Sequence, residues 1–182
     1  MKLLRAACIT LLLIVLPYSC YAASELDGNW KVNDHTCVSY NGQSYGCADS
    51  YNYATFSGGN VYAGNKYIGS VTQQGNTVVF KFSFDYLKET FEAEFAKLGY
   101  TVTVQYASIS YTGTLATKKM RIKGTISGRI TVLYQGYSIP IDLTGTFTAK
   151  KTKRSSSDRP IISKDISSKI CDVFVTEISK NL

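Results

Sequence analysis

The chain has 182 residues, a formal charge of +7 at pH 7, five cysteines, one histidine and one tryptophan. A single histidine leaves little for a His-based catalytic or metal centre, and so modest a positive charge argues against nucleic acid as a partner. Tyrosine exceeds phenylalanine, 14 to 8, which suits strands that face core on one side and water on the other.

Lys2 and Arg5 precede an apolar core from Ala6 to Leu16 and small residues from Ser19 to Ser24, the pattern of a secretory signal peptide over residues 1–22. Cleavage after Ala22 leaves no transmembrane segment, because the apolar run is too short to span a bilayer. Leu16-Pro17-Tyr18-Ser19-Cys20 also loosely follows a lipobox, which would make Cys20 a lipid-bearing first residue. The chain is thus expected in the periplasm or outside the cell, free or lipid-anchored. About 160 residues remain, enough for one domain with its own core. In an oxidising compartment a Cys37–Cys47 bridge is the simplest pairing. Cys171 could instead bond either of them and leave the other free.

Leu26 to Val32 reads as the first strand. Residues 39–69 are rich in Tyr, Gly, Asn and Ser, and two short strands are expected near 51–56 and 61–71, joined at Ser57-Gly58-Gly59-Asn60. After a turn at Gln73-Gln74-Gly75-Asn76, Val78, Phe80, Phe82 and Phe84 share one face of a strand. Asp85 is placed to cap a helix from Tyr86 to Leu98 that stops at Gly99. Its stripe of Leu87, Phe91, Phe95 and Leu98 would either cover an open end of the sheet or act as a lid over a cavity. Val102, Val104 and Tyr106 then share a face, and a bulge or short turn near Ala107-Ser108 moves the apolar set to Ile109, Tyr111, Gly113 and Leu115. A turn at Thr117-Lys118 would pair Tyr111 with Gly124 and Ile109 with Ile126.

Met120 to Ala149 reads as one long hairpin turning at Gln135-Gly136. Paired residue numbers then add to 271, which sets Arg129 opposite Asp142, Thr125 opposite Thr146, Gly124 opposite Phe147 and Arg121 opposite Lys150. Opposite charges and threonine pairs support that register, since adjacent strands favour both. Arms of about 50 Å are longer than a small domain is wide, so they must curl, and glycines on the inward face permit it. The fold expected is an eight-stranded up-and-down antiparallel barrel over 23–154, with one helix inserted between the fourth and fifth strands. Residues 155–182 follow as a linker at Ser155-Ser156-Ser157 and a C-terminal helix packed on the barrel through Ile166, Ile170, Val173, Phe174 and Ile178.

No cofactor, metal or catalytic constellation is expected. His35 stands without a nucleophile motif and is expected on a surface loop, and no second ligand pair accompanies Cys37 for zinc. Lys118, Lys119, Arg121, Lys123, Lys150, Lys151 and Lys153 converge at one end of the barrel. They serve either as solvated strand ends that discourage aggregation or as a contact for an anionic envelope surface, polysaccharide or acidic ligand.

Gly28-Asn29-Trp30 opening the first strand of such a meander resembles the lipocalin and wider calycin group. Tyr111-Thr112-Gly113-Thr114, Gly124-Thr125-Ile126-Ser127-Gly128 and Gly145-Thr146-Phe147-Thr148-Ala149 are similar to bacterial lipocalin-like secreted domains. The resemblance covers roughly 26–150; the family's middle Thr-Asp-Tyr motif is absent, and the inserted helix interrupts the usual meander. It implies a tryptophan at the closed end of the barrel with a basic residue of the last strand over it: Trp30, with Lys150 or Arg154. It also implies a small apolar or amphipathic ligand inside a non-enzymatic barrel, walled by Phe80, Phe82, Tyr106, Tyr111, Ile126, Ile130 and Ile141. The alternative is an envelope or host-facing binding module that uses the Tyr/Gly/Asn-rich region, with Tyr45, Tyr51 and Tyr53, and holds no internal ligand.

Overall fold

The computed structural model describes residues 25–153 and 164–181. The expected signal peptide, Cys20, Arg154 and the Ser155-Ser156-Ser157 linker lie outside the described residues. Eight antiparallel strands follow one another round one sheet: β1 (Gly28–Tyr40), β2 (Gln43–Ser57), β3 (Asn60–Ala63), β4 (Lys66–Gln74), β5 (Thr77–Phe82), β6 (Thr103–Ala116), β7 (Arg121–Tyr134) and β8 (Tyr137–Thr152). β8 pairs back onto β1, so the sheet closes in a ring. Helix α1 (Phe84–Lys97) is inserted and α2 (Lys164–Asn181) is C-terminal. Among the described residues no helix is long and apolar enough to cross a membrane.

The β7–β8 hairpin has the register expected of it, from Arg121 opposite Lys150 to Tyr134 opposite Tyr137. Gln135 and Gly136 both take positive φ, 48° and 87°, the mirror-image turn whose twist matches that of the flanking strands. The glycines of the inner face stand where backbones or rings come close. A Cβ on Gly113 would lie 2.9 Å from the Phe147 ring, and one on Gly124 would run into the Thr112 carbonyl oxygen.

Several expectations are corrected. β1 runs on through the polar stretch to Tyr40, and residues 43–57 form one long strand instead of loop and short strand. Residues 61–71 divide into β3 and β4 at a turn that sets Ala63 opposite Lys66. The inserted helix therefore follows the fifth strand, not the fourth. Tyr111 faces Ile126 and Ile109 faces Gly128, two residues from the expected pairing. The cause is a longer connection, a 3-10 turn at Thr117–Lys119 closed by Met120 at φ 42°. A slip of two keeps every side chain on its face.

Ser83, not Asp85, caps α1: its hydroxyl accepts the Tyr86 N–H at 3.2 Å, while Asp85 sits in the first turn. Phe84 consequently leaves the strand and is exposed, and Leu98, at the other end of the helix, is exposed as well. Leu87, Phe91 and Phe95 of α1 are buried, as are Ile166, Ile170, Val173, Phe174 and Ile178 of α2. Each such side chain contributes about 1.5–3 kcal/mol by burial, more than helix propensity supplies per residue, so these faces decide where the helices lie. Phe174 meets Phe95 at 4.7 Å, Tyr100 at 5.1 Å and Tyr134 at 5.3 Å, which brings the helices together over the barrel end where β1 and β7 finish. β2 pairs with short β3 only from Thr55 to Ser57, and α2 packs on β2 near its start, where Tyr45 donates to Glu177 at 2.8 Å.

Candidate functional site

Of the seven expected wall residues, Phe80, Phe82, Tyr111, Ile126, Ile130 and Ile141 are buried in the core. Tyr106 is not; it is 51 % exposed on the outer face. The bulge that shifts the parity of β6 falls at Gln105, ahead of Tyr106 instead of behind it, and turns that ring outward. The aromatic side chains of the lumen pack against one another: Trp30 on Phe56 at 5.7 Å, Phe80 on Phe82 at 4.5 Å, and Tyr111 on Phe147 at 5.1 Å. A wholly apolar cavity of about 20 Å³ lies among them beside Phe56, Phe80, Tyr111 and Phe147.

A buried polar cluster crosses this lumen. The Asp34 carboxylate accepts from Ser50 Oγ at 2.6 Å and from the Tyr111 hydroxyl at 3.3 Å, and Asn52 donates to Ser50 at 3.3 Å. Burial pushes the Asp34 carboxyl above the ordinary carboxylate range, against the two hydrogen bonds that favour its charged form. Burial, followed by the nearby carboxylate, raises the Tyr111 hydroxyl well above its usual value. Sequence reasoning missed the cluster by ending β1 at Val32. The alternation of Trp30, Val32, Asp34, Thr36 and Val38 carries the signal, and all five are buried.

Trp30 is fully buried, and its indole N–H donates to the Leu26 carbonyl at 2.7 Å. The lysine over its ring is Lys151, at 6.0 Å, not Lys150. The register explains this correction: Lys151 lies opposite Trp30, whereas Lys150 lies opposite Lys31 with its side chain on the outer face.

Cys37 and Cys47 are direct cross-strand partners and form the expected disulfide. Among the described residues Cys171 is the free cysteine; it is buried in α2, where burial pushes its thiol up to about 11. His35 projects from the outer face of β1, not from a loop, with Nδ1 2.7 Å from Asp49 Oδ1. It stands beside both sulfurs, but the disulfide removes them as thiolate ligands.

The outer face carries the other grouping. Across β2, β1, β8 and β7 the register aligns Tyr53, Lys31, Lys150 and Arg121 in one row, and Tyr51, Asn33, Thr148 and Lys123 in the next. Tyr51 is 62 % exposed, and Lys31 Nζ lies 5.2 Å from the centre of its ring. An open groove of about 420 Å³ runs between Tyr51, Asp49, Asn33, His35, Thr146 and Thr148. A ring face, an amide, hydroxyls and a carboxylate thus line one depression with cations at its edge. The Tyr-rich region contributes unequally, since Tyr51 faces solvent while Tyr45 is tied to α2. Comparison with known proteins finds no matching family model, no matching curated protein and no matching solved structure.

Proposed function

We propose that this chain is an exported, non-enzymatic binding module, envelope or host-facing, that engages its partner on the outer face of β1, β2 and β8. Volume is the observation that carries the reading. Ligand pockets for small molecules occupy about 300–1,000 Å³. The apolar cavity beside Phe80 and Tyr111 offers about 20 Å³, whereas the outer groove offers about 420 Å³. Tyr51 supplies a rigid amphipathic contact that loses little entropy on binding, and Asn33, Thr146 and Thr148 supply adaptable hydrogen bonds.

The test is capture of glycans and envelope extracts on the immobilised protein, compared with Tyr51→Ala and Asn33→Ala. Weaker capture by both variants supports the outer face. Unchanged capture by both contradicts it.

A second reading, a lipocalin-like carrier of a small apolar or amphipathic molecule, draws on the apolar character of the cavity beside Phe80 and Tyr111. It requires those rings to part. A copurified apolar molecule seen by native mass spectrometry, and lost in Ile126→Trp, would favour it over the outer-face reading.

A further inference from the structure

We infer that the partner of the outer face is an acidic polysaccharide, a glycan bearing carboxylate or sulfate groups, gripped by Lys31, Lys150 and Arg121. The inference rests on the outer-face reading above and names its ligand class.

The three cations belong to consecutive strands and lie directly opposite one another, Lys31 with Lys150 and Lys150 with Arg121. Strands are about 4.8 Å apart, and like charges held at that spacing repel. Lys123 adds a fourth charge in the next row. Among the described residues none of the four has an acidic partner within ion-pair distance. Two of these strands, β7 and β8, do neutralise a cation elsewhere: Arg129 grips Asp142 with Nε–Oδ1 at 2.6 Å and a second bond at 3.0 Å. The unneutralised row is therefore a local property, and a bound anion relieves its repulsion.

The neighbouring row explains why a sugar polymer suits it. Tyr51 presents a ring face, and Asn33 and Thr148 present hydrogen-bonding groups matched to hydroxyls. The Lys31 ammonium over Tyr51 joins the charged row to that groove. An anionic bilayer fits less well, because most side chains along the groove are polar and Tyr51 is the one large exposed ring among them, which leaves little to insert between acyl chains.

The test measures binding of polygalacturonate to the full protein, with uncharged dextran and phosphatidylglycerol vesicles as comparison probes. The triple variant Lys31→Gln/Lys150→Gln/Arg121→Gln is set against Lys66→Gln/Lys81→Gln/Lys97→Gln, which removes the same net charge from other strands and from α1. The expected result is a loss of about tenfold or more for the first triple, less than about twofold for the second, and a shallower salt dependence for the first. Equal losses for the two triples, vesicle binding without polymer binding, or no polymer binding by the wild type each overturn the inference. If the polymer does not bind but Tyr51→Ala and Asn33→Ala still weaken capture of envelope extracts, only the ligand class fails. If neither occurs, the outer-face reading fails with it.

Discussion

The Tyr111 hydroxyl donates to Asp34 Oδ2 at 3.3 Å and so ties β6 to β1, two strands that are not neighbours in the sheet. The bond spans the lumen, and Phe80 and Phe147 pack on the same tyrosine ring. A barrel braced in this way is built as a core. Parting these two residues would leave a buried carboxylate with one partner fewer.

That carboxylate makes stability depend on pH. Its folded pKa is raised by burial, so its favourable contribution is complete below the ordinary value of 3.8 and is lost as pH rises through the raised value. Asp34→Asn keeps an acceptor for Ser50 and offers an N–H to the Tyr111 oxygen. The variant is expected to be more stable than wild type at about pH 7, with the gap closing towards about pH 4. Urea unfolding at the two pH values checks this, and a gap that widens on acidification would contradict it.

Phe174→Ala removes the side chain that joins α1, α2 and the end of β7. A buried aromatic truncated to alanine costs about 3–5 kcal/mol. Denaturant melts should show a loss of that order. A loss under about 1 kcal/mol would mean that α2 is not part of the cooperative core.

Gly124→Ala forces a methyl group against the Thr112 carbonyl in the β6–β7 ladder. Overpacking of this kind costs about 1–3 kcal/mol. The same substitution at Gly136, where a Cβ meets nothing within 4 Å, strains only the turn through its φ of 87°. Comparing the two variants by thermal unfolding separates crowding from backbone strain.

The Cys37–Cys47 bridge closes a loop with a sequence separation of 10, and replacing both residues by serine is expected to cost roughly 2–3 kcal/mol. Cys171 should resist alkylation in the native protein, since the thiolate is the reactive form and its thiol is pushed up to about 11. Peptide mass spectrometry after alkylation, with and without denaturant, checks this. Rapid native labelling would show that α2 leaves the barrel.

The β7–β8 hairpin was legible because its cues agree: alternation, a two-residue turn, the Arg129–Asp142 and Thr125–Thr146 pairs, and glycines facing large side chains. Where β1 and β2 extend beyond the apolar residues, the cues conflict. Asn33, Asp34, His35 and Thr36 look like a loop, and only the closed sheet shows that Asp34 points inward to Ser50 and Tyr111. Tyr106 was misplaced by a bulge, since Gln105 carries nothing in its residue type to mark it as the extra residue. The outer groove was illegible for a different reason. Tyr51, Asn33 and Thr148 belong to three strands, and only the β1–β8 closure makes them neighbours.

Methyl and ring NMR during titration with polygalacturonate tests most directly whether the partner binds outside a filled barrel. The account predicts that signals of Thr146, Thr148 and the Tyr51 ring shift while the methyls of Val32, Val78 and Ile122, which line the inner cavity, stay still. Shifts confined to those inner methyls would contradict it.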